Sequence, residues 1–165
     1  MHKTGEPATQ RREAICLCGV LFCALLFYAL FVHRTAFVIG GETYFTLVDD
    51  AMISMRYARN LANGFGLVWN AGEPPIQGFT NLAWTLYMAL LHKVPIAESK
   101  ISLLVMATSA VLLLATALLA FRLTKTLAPR SRLAPLIAAT ITAYYYPLVF
   151  WSLRGMETGA GVRPA

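Results

Sequence analysis

Three stretches of this chain carry no charged side chain over lengths that match a lipid bilayer: residues 14–32 (19 residues), 101–121 (21 residues) and 133–151 (19 residues). A helix needs about 20 apolar residues to cross roughly 30 Å of hydrocarbon. Within hydrocarbon each backbone polar group must find its partner inside its own segment, so isolated runs of this kind take helical form. The sequence therefore predicts an all-α integral membrane fold with three transmembrane helices. Composition agrees: 58% of residues are hydrophobic and 13% charged, against about 45–50% and 25% in soluble domains.

A basic n-region containing Lys3, Arg11 and Arg12 precedes the first run, as in a secretory signal peptide. The run exceeds the roughly 15-residue upper length of a signal h-region and no Ala-x-Ala site follows it, so it reads as a retained anchor. A fourth apolar stretch, residues 82–91, has ten residues, about 15 Å of helix, and is too short to cross. It is expected to lie at the interface.

The net charge of +6 does not suggest nucleic acid as a partner, because the cations cluster at the ends of apolar runs and form no stripe with interleaved aromatics. Their placement is topogenic. Short cytoplasmic loops are enriched in Lys and Arg, and the connection 122–132 holds Arg122, Lys125, Arg130 and Arg132 with no acid. The tail 1–13 and this connection are thus expected in the cytoplasm, and the loop 33–100 and the end 152–165 outside, in a multi-pass plasma-membrane protein. Cys16, Cys18 and Cys23 all fall in the first run, where neither a disulfide framework nor a zinc site has partners.

The loop 33–100 carries the chemistry. Residues 50–63 have amphipathic spacing, with Ile53, Tyr57 and Leu61 on one face and Arg56, Arg59, Asn60 and Asn63 on the other, and Gly64 supplies a C-terminal cap. Together with 82–91 this makes two interfacial helices, joined by a reversal built on Gly64, Gly66, Asn70, Gly72 and Gly78 and stiffened by Pro74 and Pro75. Asp49 and Asp50 stand at the start of the first. Two adjacent acids suit a proton-transfer site; Asp also favours a helix N-terminus through the macrodipole, so one of them serves equally well as a cap.

The string LVDDAMISMRYARNLANGFGLVWNAGEPPIQGFTNLAWTLYMALL (residues 47–91), with FWSLRGMETG at 150–159, resembles the first external loop of the GT-C superfamily of polytopic membrane glycosyltransferases. The likeness is greatest to the actinobacterial arabinofuranosyltransferases and more distant to protein mannosyltransferases and lipid A aminoarabinosyltransferases. The resemblance implies a polyprenyl-phosphate sugar donor of the arabinofuranose or mannose class, inversion at the anomeric carbon, and an envelope glycan or protein as acceptor. It makes Asp49 the catalytic base and Asp50 its neighbour, the two together holding a divalent metal if one is used. No other cofactor is implied.

A lipid-phosphate leaving group calls for cations, and Arg56 and Arg59 are the nearest guanidiniums; both also fit an ordinary solvated face. Tyr57, Trp69 and Trp84 could stack on a sugar, although interfacial aromatics more commonly form a belt. Glu157 is expected to help line the cavity, and Arg154, three residues before it, to pair with it. Enzymes of this superfamily have on the order of ten or more spans around their cavity; with three spans and the ending GAGVRPA, the chain reads as an N-terminal fragment, a partial GT-C architecture. The alternative is a non-catalytic small membrane protein or a transporter or assembly-subunit fragment. A transporter predicts charged or Gly-broken positions inside its spans, and residues 101–121 have none.

Overall fold

The computed structural model describes residues 6–76 and 78–156. It is mostly helical. Helix α1, Glu6–Arg34, is followed by a hairpin of β1, Ala36–Ile39, and β2, Glu42–Phe45. Then come α2, Asp49–Ala62; α3, Leu82–Leu91; a short 3-10 turn, Glu98–Lys100, leading into α4, Ile101–Leu127; α5, Leu133–Tyr144; and α6, Tyr146–Leu153. Two helices, α1 and α4, are long and apolar enough to cross a membrane, and α5 with α6 makes a third span if the bent pair is counted as one.

Outside the packed seams α1 and α4 present large apolar side chains, among them Phe22, Leu26, Val111 and Leu119, with Phe22 60% exposed. In water such a surface carries a large hydration cost; in hydrocarbon it is the ordinary exterior of a span. Cys16, Cys18 and Cys23 are free and exposed on it.

The spans differ from their sequence outlines. α1 starts eight residues before the uncharged run, and α4 continues six residues past Phe121, because Arg, Lys and Leu propagate a helix well once it is nucleated. Arg122 and Lys125 are accordingly helical. The expected third span is not one straight helix: α5 and α6 meet at a 46° bend at Tyr145. Pro147 sits in the first turn of α6 and has no N–H to give to the carbonyl four residues back, that of Ala143. Tyr28 from α1 replaces it, its hydroxyl donating to the Ala143 carbonyl at 2.7 Å in a buried position.

An all-α fold was expected, and the hairpin after the first helix corrects this. Its strands pair antiparallel from Ala36↔Phe45 to Ile39↔Glu42. Gly40 and Gly41 both have positive φ, 59° and 84°, the backbone that a two-residue turn requires to match strand twist. The signal was present as AFVI-GG-ETYF, β-branched and aromatic residues around Gly-Gly.

The chain is pinned at both ends of the bundle. At one end Lys125 of α4 donates to Glu13 of α1 at 2.6 Å. At the other the Val48 N–H donates to the Arg154 carbonyl at 2.9 Å. The described residues of 35–100 and Arg154–Met156, which follow α6, therefore share one end of the bundle.

Two cores result. One joins the loop helices to the first turns of α4: Leu47, Ala51, Met55 and Ala58 meet Trp84, Met88 and Ala89, and both sets rest on Ile101, Val105 and Met106. The other holds the helices together through Ala24, Tyr28, Ala110, Leu113, Ala117, Ala143, Val149 and Leu153.

Candidate functional site

Asp49 and Asp50 occupy the first two positions of α2. Val48, in extended conformation, precedes them and offers no side-chain cap, so the two acids stand in the first turn at the positive end of the helix dipole. Both acids are exposed. Neither makes a hydrogen bond or ion pair with any side chain among the described residues.

The turn that carries them is fixed from below. Leu47 is fully buried, and Gly155, with φ 94°, lies so close that a Cβ there would stand 3.0 Å from both the Ala51 Cβ and a Leu47 methyl. Only glycine supplies both the left-handed backbone and the missing carbon. The Gly155 carbonyl accepts from the Trp84 indole Nε1 at 2.9 Å. The Leu153–Gly155 segment thus clasps the acidic turn to α3. Arg154 is part of this clasp, and its buried Nε has no hydrogen-bond partner among the described residues. Sequence reading gave Arg154 to Glu157; Glu157 lies outside the described residues.

The remaining expected site residues divide. Tyr57, proposed to stack on sugar, is 2% exposed; its hydroxyl donates to the Ile76 carbonyl at 2.6 Å and its ring packs between Trp69 and Phe79. That is a correction: the ring is enclosed by the loop and has no face left for a sugar. Gly78 is small for this reason, since a Cβ there would come within 2.8 Å of the Tyr57 hydroxyl. Trp84 is likewise core rather than belt, 9% exposed.

Arg56 is exposed but engaged. Its Nε donates to the Trp69 carbonyl at 2.9 Å and its Nη2 to Asn70 Oδ1 at 2.5 Å, with the guanidinium 4.2 Å above the Trp69 ring. Asn70 in turn donates to Glu73 at 2.8 Å. Arg59 reaches Glu98 at 3.9 Å across exposed surface, a contact of small energy, so of the two arginines Arg59 is the freer.

The faces of α2 are also redistributed. Its buried stripe is Ala51, Met55, Ala58 and Ala62 together with Tyr57 and Asn60. Asn60, assigned by spacing to the polar side, is buried and donates to the carbonyls of Val68 and Trp69 at 2.8 and 2.9 Å. The helix ends as the sequence predicts: Gly64 has φ 85°, its N–H returns to Leu61 and that of Phe65 to Asn60, a Schellman closure. Nearby, His92 contacts the Met55 sulfur at 3.1 Å. Its pKa is lowered from 6.5, first by burial, with Glu98 opposing and Arg59 adding to the shift.

Among the described residues no group of three His, Cys, Asp or Glu gathers to hold a metal. Asp49 and Asp50 are adjacent oxygen donors, and magnesium commonly takes one or two carboxylates while keeping several waters. Chemically, the arrangement offers two water-accessible carboxylates on a rigid helix start, at the end of the bundle where all the long connections lie. No family model, curated protein or solved structure matches the chain.

Proposed function

We propose that this chain belongs to a membrane glycosyltransferase lineage in which Asp49 is the general base for sugar transfer from a polyprenyl-phosphate donor to an envelope glycan or protein. The observation that carries the reading is the pair of exposed acids, without a side-chain partner among the described residues, on a turn clasped by Arg154 and Gly155. A cap needs one acid and no clasp; a base needs a fixed carboxylate within about 3 Å of an acceptor hydroxyl. In this reading α2 and α3 lie at the outer interface of the plasma membrane, the N-terminus is cytoplasmic, and α5 with α6 is the third span. Asp50 tunes the charge of Asp49 or shares a metal with it. Arg59, Arg154 and Glu157 are the groups available to a phosphate or a sugar, and a turn of Arg56 away from Trp69 would add another. The rival reading, a non-catalytic small membrane protein, is favoured by the engagement of Arg56 and Tyr57 in holding the loop.

Membranes carrying the full-length protein, supplied with a radiolabelled polyprenyl-phosphoarabinose or polyprenyl-phosphomannose, discriminate between the two. Asp49→Asn should cut transfer by about 10²- to 10⁴-fold, the usual contribution of a general base, with donor binding retained. Undiminished transfer removes Asp49 from the mechanism. Orientation has its own check, on a background with Cys16, Cys18 and Cys23 replaced by serine. Ser54→Cys should react with an impermeant maleimide on intact cells and Thr126→Cys only after lysis; the reverse pattern would invert the topology and put the acids in the cytosol.

A further inference from the structure

Between α1 and α4, on the half of the bundle that carries the loops, the helices part to leave a groove of about 460 Å³. Tyr28, Ala29, Val32 and His33 line it from α1, Met106, Ala107 and Ala110 from α4, and Phe45 of β2 lines its loop end. Ala29, Ala107 and Ala110 make it: small side chains at the middle of both helix faces leave a slot where larger ones would close the seam. Lower down, Ala24 and Ala117 lie in the packed bundle core.

Its dimensions and position identify the occupant. From Leu25 to His33 is eight residues of helix, about 12 Å, while one leaflet of hydrocarbon is roughly 15 Å deep, half of the bilayer core. A crossing helix would need a seam through both leaflets. The lining is almost wholly apolar, and a void of this size in hydrocarbon forfeits the dispersion contacts of every wall atom. At the mouth the chemistry changes. His33 and Arg34 form the last turn of α1, and Lys100 stands 5.7 Å from the Phe45 ring, its Nζ on the Thr43 carbonyl. Arg34 has no ion-pair partner among the described residues. Cations above a one-leaflet slot complement a phosphate above an acyl chain.

We propose that the groove holds one hydrocarbon chain of an anionic phospholipid of the leaflet on the loop side, with its phosphate at Arg34 and Lys100. The site requires only the two spans, whatever the acidic pair does, so it stands or falls apart from the transferase reading.

The test is photolabelling of the full chain in phosphatidylcholine bilayers containing phosphatidylglycerol with a diazirine on its acyl chain, followed by peptide mapping. Adducts should concentrate on Ala29, Val32, Ala107 and Val111 over the outward residues Leu26, Leu30 and Leu119. Ala107→Trp should lower groove labelling by about tenfold, equivalent to roughly 1.4 kcal/mol of binding, with labelling of Leu119 unchanged. Ala29→Leu, a smaller intrusion, should act in the same direction and keeps the test alive should the tryptophan variant fail to fold. Arg34→Gln with Lys100→Gln should weaken labelling by the phosphatidylglycerol probe more than by its phosphatidylcholine counterpart. Even labelling of all helix faces, labelling indifferent to both groove-filling variants, or crosslinks joining two copies of the chain through Ala107 would overturn the proposal, the last by showing a helix in the slot.

Discussion

The bundle core and the loop core are built from different side chains. Four of the eight buried residues between the helices are alanine, whereas the core beneath the loop uses three methionines and a tryptophan among its ten. The difference follows from what each core is removed from. Lipid tails are as apolar as leucine, so helices gain little from burying leucine against one another; close approach over small residues and an occasional hydrogen bond hold them. A loop that leaves water gains about 25 cal/mol for each Å² of apolar surface covered, and large side chains cover more. α4 serves both, giving Ile101, Val105 and Met106 to one core and Ala110, Leu113 and Ala117 to the other.

The contrast can be broken at the junction first. Gly155 joins the two regions, and Gly155→Val would force a left-handed backbone and overlap with Leu47 and Ala51. A cost of roughly 2–5 kcal/mol is expected from strain and overpacking together. In detergent the loop should become protease-sensitive while the helices keep their helicity; simultaneous loss of both would mean that the two cores are one cooperative unit.

A smaller effect probes the bundle alone. Tyr28→Phe leaves the Ala143 carbonyl, already deprived by Pro147, without a donor. The expected loss is about 1 kcal/mol, between the cost of an orphaned buried acceptor and the modest worth of hydrogen bonds between membrane helices. Thermal unfolding in micelles measures it, and no change would show that water reaches the bend.

The smallest effect probes the loop core alone. Folding lowers the pKa of His92, so the folded protein takes up a proton less readily than the unfolded chain, and stability falls as protons are added. This contribution is fully present above the unfolded value near 6.5 and is lost as the pH falls through the lowered folded value. Loop stability, read by hydrogen exchange on α2, should decline as the pH falls below about 6.5 and decline less in His92→Gln.

What was legible in the sequence was whatever depends on neighbours along the chain. Uncharged runs located the spans, α3 begins and ends at the residues its apolar run marks, and Gly64 stops α2. The hairpin was legible too, in the β-branched and aromatic residues on either side of Gly40 and Gly41. The fates of Arg56, Tyr57 and Asn60 were not, because each is decided by a carbonyl or ring 8 to 19 residues away, and amphipathic spacing treats every polar residue as seeking water. Most hidden was Gly155: nothing in its own neighbourhood reveals that its missing Cβ makes room for Leu47.

The clasp between Val48 and Arg154 also fixes a sequence in time. The acidic turn is made about a hundred residues before the backbone that will anchor it, an interval of roughly 5–20 s at ordinary elongation rates. Until α6 is inserted, the Val48 N–H and the Trp84 indole have no Arg154 or Gly155 to bind. A nascent chain would thus expose an unfinished loop throughout that interval, and α6 would act as the latch that completes it.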